Sequence, residues 1–445
     1  MLETVIELLE NKSYKQLKEM LSEMNEADIA AILVELKEEQ LVLIYRILPK
    51  ELAAEVFVNM DSDAQEVLIH SFSDNELKEV LDELYVDDAV DIIEEMPATV
   101  VKRILQQTDP ETRKSINELL NYPEDSAGSI MTIEYVDLKA HMTVEDAFTR
   151  IRRTGVDKET IYTCYVTDNG RHLQGVTTVK DLLLSDYEDL IGDIMETNII
   201  SVNTLEDKEV VAEMFQKYDL LALPVVDREE RLVGIITIDD AMDVLQEENT
   251  EDFEKMAAIT PTDKPYTKTG VFATWRKRIP WLLFLMISAT FTSKIIQSFE
   301  DALAAQVVLT AFIPMLMDTS GNAGTQASVS IIRALSLNDI EFKDYFRVVF
   351  KEFRVAILCG VVLATANFFK LLLIDRVSVA ISLVVNLTLL FAIMIAKCVG
   401  STLPMVAQKL KLDPAVMASP LVTTIVDALS LLTYFSIATR ILHLE

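Results

Sequence analysis

The sequence is poor in the residues that bind soft metals or cross-link small secreted proteins, with three Cys and four His among 445 residues. Soft-metal clusters and a disulfide framework are therefore not expected. Basic residues are also scarce, because 40 Lys and Arg stand against 71 Asp and Glu, which gives a net charge of −31. A chain with this balance cannot neutralise many phosphates, and we expect no nucleic-acid partner.

The acidic charge is concentrated in the first part of the chain. Residues 1–270 contain 60 acids and 25 bases, whereas residues 271–445 contain 11 acids and 15 bases. The chain is also longer than one hydrophobic core usually serves. We therefore predict a multidomain protein in which two physically different parts share one chain.

The first 120 residues repeat an apolar pattern every twelve positions, at Met24, Leu36, Leu48, Met60, Phe72, Leu84 and Met96. Further apolar residues lie four positions before the last six of these, and positions four apart share a helix face. Turn residues such as Pro49 and Pro97 separate the repeats. A helix this short cannot bury its apolar stripe alone, so the pattern predicts an all-α superhelical N domain of short helices over 1–122.

The outer surface of this predicted domain is acidic, since residues 51–100 contain fifteen acids and one base, Lys78. A solvated helix face is the usual meaning of such a run. The imbalance is too one-sided for pairing between residues four apart to neutralise it, which weakens that interpretation.

A second repeat follows Pro123. Its first motif, Gly-Ser-Ile-Met at 128–131, recurs as Gly-Asp-Ile-Met at 192–195, and Gly-Val-Thr-Thr-Val-Lys-Asp at 175–181 recurs as Gly-Ile-Ile-Thr-Ile-Asp-Asp at 234–240. Each copy has the order strand, helix, two strands, helix. This α/β arrangement resembles a tandem pair of cystathionine-beta-synthase (CBS) domains, at about 123–187 and 188–246.

In CBS domains the threonine and aspartate of the second motif often hold an adenine nucleotide. The resemblance therefore implies ATP as a candidate ligand, bound by Thr178, Asp181, Thr237 and Asp240. The alternative is that both threonines cap the following helices and both aspartates complement the helix dipoles. The sequence leaves these two interpretations open.

Five apolar runs after residue 278 reach the length of about 20 residues that a helix needs to cross a membrane. They cover 279–299, 303–335, 355–374, 377–406 and 415–441. Basic residues precede the first run, join the second to the third, and join the fourth to the fifth. By the positive-inside rule, the acidic part is cytoplasmic and the C-terminus at Glu445 lies outside the cell membrane. An odd number of spans excludes two equal inverted halves and favours a pore built between two subunits.

The second run contains polar and helix-breaking residues at membrane depth, namely Pro314, Gly321, Asn322, Gly324 and Gln326. Unpaired backbone groups are costly in lipid, so we expect an interior break that faces protein or water. Tight helix packing explains the glycines equally well. It does not explain the two amides, which we predict to line a pore.

The last run carries a carboxylate near its centre, because Asp427 follows Thr423 by one turn on a polar stripe. A carboxylate at that depth must pair, take up a proton or face a water-filled path. We predict that Asp427 binds a permeating ion, with a salt bridge to Lys397 as the alternative. For Asp318, a pair with Lys397 or helix capping stays as open as ion contact.

The order of these parts resembles the MgtE family of magnesium channels and transporters. The resemblance is carried by the acidic helical domain, the segment Tyr-Pro-Glu-Asp-Ser-Ala-Gly-Ser-Ile-Met-Thr at 122–132, the CBS pair, an acidic connecting helix, and Asp-Thr-Ser-Gly-Asn-Ala-Gly-Thr-Gln at 318–326. Many family members have Gly-Gly-Asn where this chain has Ser-Gly-Asn at 320–322. The implied fold is an all-α N domain, an α/β CBS pair, a connecting plug helix and linker at 247–270, and a membrane domain of five transmembrane helices at 271–445.

The resemblance implies a homodimer in the lipid bilayer that passes Mg²⁺ through a pore on its two-fold axis and closes when cytosolic Mg²⁺ is plentiful. One Asp427 from each subunit would form the main ion site, with Asn322, Gln326 and Thr423 as further pore-lining residues. Mg²⁺ prefers hard oxygen ligands and keeps several waters, which agrees with a single carboxylate ring that can release the ion. A transporter for Co²⁺ or Mn²⁺ is the alternative, because ligand type does not separate these ions.

The cytoplasmic acids are implied to sense Mg²⁺, because carboxylates that face each other repel until a divalent ion bridges them. The residues that match the sensor positions of the family are Glu55, Asp87, Asp91, Asp207, Glu209, Asp219, Asp240, Asp243, Glu248, Glu251 and Asp252. Asp87 and Asp91 are one helical turn apart, a spacing suited to sharing a hydrated cation.

Two other classes of protein stay open. A CBS-regulated anion channel is disfavoured by the acidic cytoplasmic part and by the lack of basic residues in the predicted pore. A membrane-anchored enzyme is disfavoured because the sequence offers no nucleophile with a base, no phosphate-binding glycine loop and no metal-ligating histidine set. We therefore expect no enzymatic activity.

Overall fold

The computed structural model describes residues 1–262, 266–267 and 269–443. Part of the predicted linker (263–265 and 268) and the predicted external C-terminus at Glu445 lie outside the described residues. The chain divides into two compact units, Met1–Leu245 and Gln246–Glu445, which we call the first and the second unit.

Ten short helices form the beginning of the first unit. They are α1 (Leu2–Glu10), α2 (Tyr14–Leu21), α3 (Glu26–Val34), α4 (Glu38–Tyr45), α5 (Lys50–Val58), α6 (Ser62–Ser71), α7 (Asp74–Leu81), α8 (Val86–Glu95), α9 (Ala98–Gln107) and α10 (Pro110–Leu119). Most contacts join helices two apart, such as α3 with α5 and α4 with α6. Residues of the twelve-residue repeat lie at or just beyond the helix ends, where Leu48, Met60 and Phe72 are buried. The predicted domain of stacked short helices is confirmed.

Local capping residues set the boundaries of these helices. Ser73 and Glu76 form a capping box at the start of α7, in which each side chain accepts the backbone N–H of the other residue. Asp61 and Asp109 cap α6 and α10, and Pro110 occupies the first turn of α10. These caps satisfy amides that have no partner within the helix, which allows many short helices in one domain.

Two three-stranded sheets of identical order follow in the first unit. Their elements are β1 (Val136–Leu138), α11 (Val144–Thr154), β2 (Thr163–Thr167), β3 (Leu173–Thr178), α12 (Val179–Leu184), α13 (Ile191–Ile194), β4 (Val202–Asn203), α14 (Lys208–Tyr218), β5 (Ala222–Val226), β6 (Leu232–Thr237) and α15 (Ile238–Met256). In each sheet the first strand pairs parallel with the second, and the second pairs antiparallel with the third. The predicted tandem α/β repeat is confirmed.

The two copies are joined by a reciprocal contact between their motifs. A Cβ on Gly234 would lie 2.7 Å from the carbonyl oxygen of Thr132 and 2.8 Å from the sulfur of Met131. A Cβ on Gly175 would similarly lie 2.8 Å from Cγ of Met195. Each repeated glycine therefore makes room for the methionine of the opposite copy, because no side chain stands between them.

The second unit continues from the end of α15 into a helical region. Its helices are α16 (Val271–Ser298), α17 (Glu300–Ala305), α18 (Ile313–Ser336), α19 (Tyr345–Leu373), α20 (Val379–Lys409) and α21 (Ser419–Leu442). Within the described part of the chain, four segments are long and apolar enough to cross a membrane by length and composition: Val271–Ser298, Phe342–Leu373, Val379–Lys409 and Pro414–Leu442. Helix α20 lies at the centre of the unit and packs against α18, α19 and α21.

The predicted second span, 303–335, differs from the structure in two ways. Its first residues form part of α17 and a 3-10 helix at Val307–Phe312, so α18 begins only at Ile313. Helix α18 then runs unbroken through Gly321 and Gly324, and the predicted interior break is wrong. Pro314 lies in the first turn, where its fixed φ and missing N–H are tolerated.

Candidate ion pathway and cation-sensing sites

Helices α18, α20 and α21 approach each other at positions occupied by glycine. A Cβ on Gly400 of α20 would collide with the carbonyl oxygen of Gly324 in α18. A Cβ on Gly324 would lie 2.8 Å from Cγ1 of Val422 in α21. Tight helix packing therefore accounts for Gly324, which agrees with the packing interpretation of the sequence.

Gly321 instead brings α18 against the polar stripe of α21. A Cβ at this position would lie 3.1 Å from Cγ2 of Thr423 and 3.9 Å from Oδ1 of Asp427. One turn further along α21, the Ser430 hydroxyl donates to Ser320 Oγ at 2.9 Å in a buried hydrogen bond. This bond fixes the register of α18 against α21, so that the centre of α21 faces the glycine of α18.

Asp427 is partly exposed, but its Oδ1 atom is buried and accepts no hydrogen bond in the structure. A buried carboxylate oxygen without a donor is costly. A further group that offers protons or positive charge would satisfy this oxygen.

Lys397 does not supply that group, because its Nζ lies 3.4 Å from Oε2 of Glu352 in α19. The two side chains are only 6% and 13% exposed. The alternative of a salt bridge between Lys397 and Asp427 is thus wrong, and Glu352 was the partner that sequence reasoning missed. Its signal was a lone acid in the otherwise apolar or basic stretch that opens α19.

Three polar side chains of α18 form an exposed stripe, which we call the α18 stripe: Asp318, Asn322 and Gln326. They are spaced by four residues and therefore share one face of the helix. In the described residues the opposite face of α18 is buried, for example at Ser320, Gly324 and Ile331. Polar groups do not face lipid at low cost, so the α18 stripe requires water or a second protein surface.

A second candidate site lies in the first unit, where α8 meets both CBS copies. The side chains of Asp87 and Asp88 in α8 interact electrostatically with Asp240 at the start of α15 and with Glu134 and Glu159 of the first copy, and Asp88 also interacts with Glu55 and Asp239. We call these seven carboxylates the interdomain acid cluster. Asp87 is only 9% exposed, and its Oδ1 has no hydrogen-bond partner.

The interdomain acid cluster is under electrostatic strain. Burial, followed by repulsion from Asp240, raises the pKa of Asp88 to about 7. Burial and the charge of Asp88 raise the pKa of Glu159 to about 8, and burial raises the pKa of Asp240 to about 6. Burial also raises the pKa of Asp87 well above its usual range. Ionised, these groups repel one another, and a cation between them would relieve that repulsion.

The other predicted sensor acids are distributed differently. Asp207 and Glu209 lie at the N-terminal end of α14, whereas Asp219 follows its C-terminal end in a left-handed conformation. The eleven residues of α14 separate these ends by about 16 Å, so one chain does not bring the three acids together. Asp91 and Asp243 are exposed. Partial burial of its carboxyl group nevertheless raises the pKa of Asp243, and the charge of Asp239 adds to the effect.

In the described residues, no group of three or more His, Cys, Asp or Glu side chains is arranged to hold a metal ion directly.

The predicted nucleotide residues form helix caps in the structure. Thr178 Oγ1 lies 2.5 Å from Oδ2 of Asp181, and Thr237 Oγ1 lies 2.7 Å from Oδ2 of Asp240. Thr178 and Asp181 make a complete capping box at the start of α12. The two pairs differ in surroundings, because Asp240 belongs to the interdomain acid cluster and Asp181 is exposed.

The last turns of α15 carry Glu248, Glu251 and Asp252, all of them partly buried. Glu251 forms an ion pair with Lys255, which also contacts Asp413 in the segment before α21. Burial, followed by the charge of Asp413, raises the pKa of Asp252. Lys255 and Asp413 were not singled out by sequence reasoning, since neither residue belongs to an unusual pattern.

Together these features define a multi-span helical protein with an acidic helical domain and a CBS pair. Family models match along the chain: the MgtE intracellular N domain at 24–125, the CBS domain at 127–187 and 191–247, and the MgtE divalent cation transporter domain at 313–437. The magnesium transporter MgtE of Thermus thermophilus is 37% identical over 98% of this chain and 97% of its own length. The magnesium transporter MgtE of Bacillus subtilis is 33% identical over 99% and 97%.

Solved structures agree with these relatives. The cytosolic domain of the Mg²⁺ channel MgtE in complex with ATP is 37% identical, with a TM-score of 0.52 over 55% of this chain and all of that one. The soluble part of a magnesium transporter is 31% identical, with a TM-score of 0.52 over 56% of this chain and 97% of that one. The chain belongs to the MgtE family, and the family resemblance of the sequence is confirmed.

Proposed function

We propose that this chain carries Mg²⁺ across the cell membrane and that Asp427 is the ion site of the pathway. The names of the full-length relatives support Mg²⁺ as the substrate. The observation that carries the proposal is Oδ1 of Asp427, buried and without a donor where α21 meets Gly321. A hydrated dication supplies both the protons, through its waters, and the positive charge that this oxygen lacks.

The pathway is built from α18 and α21 of two copies of the chain. Two observations support a homodimer in a lipid bilayer. The α18 stripe is exposed in one chain although α18 lies between apolar helices, and no described residue of the apolar helix α16 is buried. A second copy placed against these faces would enclose Asn322 and Gln326 with Thr423 in a polar channel.

The direct test is Mg²⁺ uptake into liposomes by the full-length protein and its Asp427→Asn variant. The amide keeps the volume of the carboxyl group but removes the charge, so uptake should fall to the level of empty liposomes. Asp375→Asn is the matched control, because it removes a carboxylate of the same unit that pairs with Lys370 at 3.1 Å. Undiminished uptake by a folded Asp427→Asn protein would refute the assignment.

The first unit acts as the Mg²⁺ sensor and is cytoplasmic, as the distribution of basic residues indicates. Its support is the interdomain acid cluster, in which the acids of α8 and α15 have raised pKa values because they are buried together. Mg²⁺ that screens the cluster holds the helical domain against the CBS pair. By linkage, the arrangement that Mg²⁺ favours must bind Mg²⁺ more tightly than the open arrangement does.

The predicted sensor residues divide into two groups under this proposal. Glu55, Asp87 and Asp240 act within the interdomain acid cluster, together with Asp88, Glu134, Glu159 and Asp239. The remaining acids act at other surfaces of the cytoplasmic domains, and these are Asp91, Asp207, Glu209, Asp219, Asp243, Glu248, Glu251 and Asp252. Screening by Mg²⁺ would lower the free energy of the closed arrangement at these surfaces, except where Lys255 already supplies a positive charge to Glu251 and Asp252.

ATP is a second candidate ligand, supported by the related cytosolic domain that was solved with ATP. Thr178 and Asp181 form the better candidate, because the phosphates of a nucleotide next to Thr237 and Asp240 would meet the interdomain acid cluster. The hydroxyl of Thr178 would exchange its contact with Asp181 for one with the ligand.

A further inference from the structure

The C-terminal end of α15, which belongs to the second unit, contacts other segments of that unit at several points. Lys255 Nζ lies 2.7 Å from Oδ2 of Asp413 and also contacts Glu251 one turn earlier. Met256 packs on a buried cluster formed by Ile332 of α18 and by Ala415 and Ala418. These two alanines directly precede α21, the helix that carries the proposed ion site.

The chain that follows α15 is held as well. The backbone N–H of Thr262 donates to Oε2 of Glu254 at 2.8 Å, and Nζ of Lys277 donates to the carbonyl oxygen of Pro261 at 2.5 Å. The N–H of Thr260 donates to the carbonyl oxygen of Lys277 at 3.2 Å. The end of α15 is therefore positioned between α16 on one side and the loop before α21 on the other.

The charge balance at this contact depends on Lys255. Its acidic neighbours are Glu251, Asp252 and Asp413, and Arg333 is the other base that acts on Asp252. Burial opposes the charge of Lys255, but hydrogen bonds to Asp413 and Glu251 raise its pKa, so the ammonium is the stable form. Without Lys255, Glu251, Asp252 and Asp413 would lose this positive charge, and their mutual repulsion would disfavour the contact between α15 and the loop before α21.

We infer that Lys255 is a built-in cation that latches the end of α15 to the loop before α21, so that this contact forms without a divalent ion. Elsewhere in the cytoplasmic domains, neighbouring acids are proposed to require Mg²⁺ before they can approach. At the entry to α21 the chain supplies its own positive charge. The inference rests on the proposed function, because it assigns the latch a role in closing the same pathway.

The latch adds a contact to the closed arrangement that does not depend on the Mg²⁺ concentration. It therefore lowers the Mg²⁺ concentration at which closure occurs, since Mg²⁺ has less repulsion left to overcome. Without the ammonium of Lys255, Mg²⁺ would have to supply the positive charge that lets these acids approach each other. The open pathway itself does not contain Lys255, so transport in the absence of cytosolic Mg²⁺ should not need it.

The test compares Mg²⁺ flux through the full-length protein in liposomes at graded Mg²⁺ concentrations on the side of the first unit. For Lys255→Gln we expect closure to require about fivefold more Mg²⁺, the effect of losing one partly buried ion pair. Flux at the lowest Mg²⁺ concentration should match the wild type. Lys255→Arg keeps the charge and should close within about twofold of the wild type.

Lys370→Gln is the matched control, because it removes a lysine of the same unit that pairs with Asp375. Its closure should match the wild type. In a double-mutant cycle, Lys255→Gln combined with Asp413→Asn should shift closure less than the sum of the single variants, because the two groups act as a pair. Closure of Lys255→Gln at the wild-type Mg²⁺ concentration, or strict additivity in the cycle, would overturn the inference.

Hydrogen exchange provides a readout that does not depend on transport. In the full-length protein at fixed Mg²⁺, amides at 257–262 and 413–418 should exchange several-fold faster in Lys255→Gln than in Lys370→Gln. Unchanged exchange would also overturn the latch. If wild-type liposomes took up no Mg²⁺ while exchange responded as expected, the proposed function would be wrong and the latch would stand.

Discussion

The two units of this protein handle charge in opposite ways. In the first unit, buried acids are placed beside other acids, and the pKa values of Asp88 and Glu159 rise to about 7 and about 8 because burial and neighbouring carboxylates disfavour their charge. In the second unit, several acids buried from the solvent or at its edge are paired with bases, as in the pairs Lys397 with Glu352 and Lys255 with Asp413. Asp427 differs from these pairs, because its buried oxygen has no donor in the structure.

This difference separates two tasks that both depend on a dication. A crowded cluster binds cations by relieving repulsion, so its affinity depends on how closely the domains approach. A single carboxylate in an apolar setting attracts a dication but holds it weakly enough to release it. The first arrangement suits a sensor and the second suits a pathway.

The contrast between the two units should be lost most completely when the helical domain, which supplies three acids of the interdomain acid cluster, is removed. Deletion of residues 1–120 removes Glu55, Asp87 and Asp88 and with them the repulsion that Mg²⁺ relieves. We expect the pathway to stay open at millimolar cytosolic Mg²⁺ in flux measurements on liposomes. Truncated protein that closed at the wild-type Mg²⁺ concentration would show that the sensor lies elsewhere.

A substitution at the helix contact tests whether the second unit is held by close packing instead of by charge. Gly400→Ala places a methyl group against the carbonyl oxygen of Gly324, which we expect to cost about 1–3 kcal/mol or more, as overpacking does. The melting temperature of the purified protein should fall by several degrees. Gly270→Ala is the control, because a Cβ there meets nothing within 4 Å. Equal melting temperatures for the two variants would contradict the contact.

The pH dependence of stability tests whether the raised pKa values in the first unit affect its free energy of unfolding. Because the pKa values of Asp240, Asp88 and Glu159 are raised to about 6, 7 and 8, the folded state binds more protons than the unfolded state from about pH 4 upwards. The free energy of unfolding must therefore fall as pH rises through this window. Acids with a lowered pKa, such as Asp146 with its hydrogen bonds from Thr143, act in the opposite direction only below about pH 4.

Mg²⁺ should counteract that loss, since it screens the same carboxylates once they are ionised. In thermal unfolding of residues 1–245 followed by circular dichroism, Mg²⁺ should raise the melting temperature by several degrees more at pH 8 than at pH 5.5. A matched monovalent salt concentration should give a smaller rise, because it screens without bridging. A Mg²⁺ effect independent of pH would argue against the cluster.

The smallest expected effect concerns the nucleotide. Asp181→Ala should weaken ATP binding to the full-length protein by several-fold in calorimetry, because it disrupts the Thr178 loop. Asp240→Ala should change ATP binding less, since its surroundings repel phosphate. The absence of ATP binding to the wild type would leave both pairs as helix caps only.

Much of the fold could be predicted from the sequence because it depends on local patterns. The twelve-residue repeat defines short helices through their buried faces, and the repeated glycine motifs define the two sheets. The interior break predicted near Gly321 was wrong because a glycine in a helix can mark either a break or a close contact with another helix. Only the position of Gly400 on the neighbouring helix shows that Gly324 allows close packing. Contacts between distant segments carry no such local signal.

The candidate sites show the same limit. Asp427 was found because a carboxylate is rare in an apolar run. Asp88, Glu134 and Glu159 were missed, since each is an ordinary acid in an acidic sequence and becomes unusual only when the fold buries the three together. The pairing of Lys397 with Glu352 was missed for a similar reason, because the two residues are 45 positions apart.

The central claim is that the second unit forms a pathway selective for a dication. The most direct measurement is the reversal potential of current through the reconstituted full-length protein, with MgCl₂ at different concentrations on the two sides and the first unit kept in low Mg²⁺. We predict a potential that moves toward the Mg²⁺ equilibrium value, by about 30 mV for each tenfold gradient of a divalent ion. A potential that follows the chloride gradient instead would contradict the account.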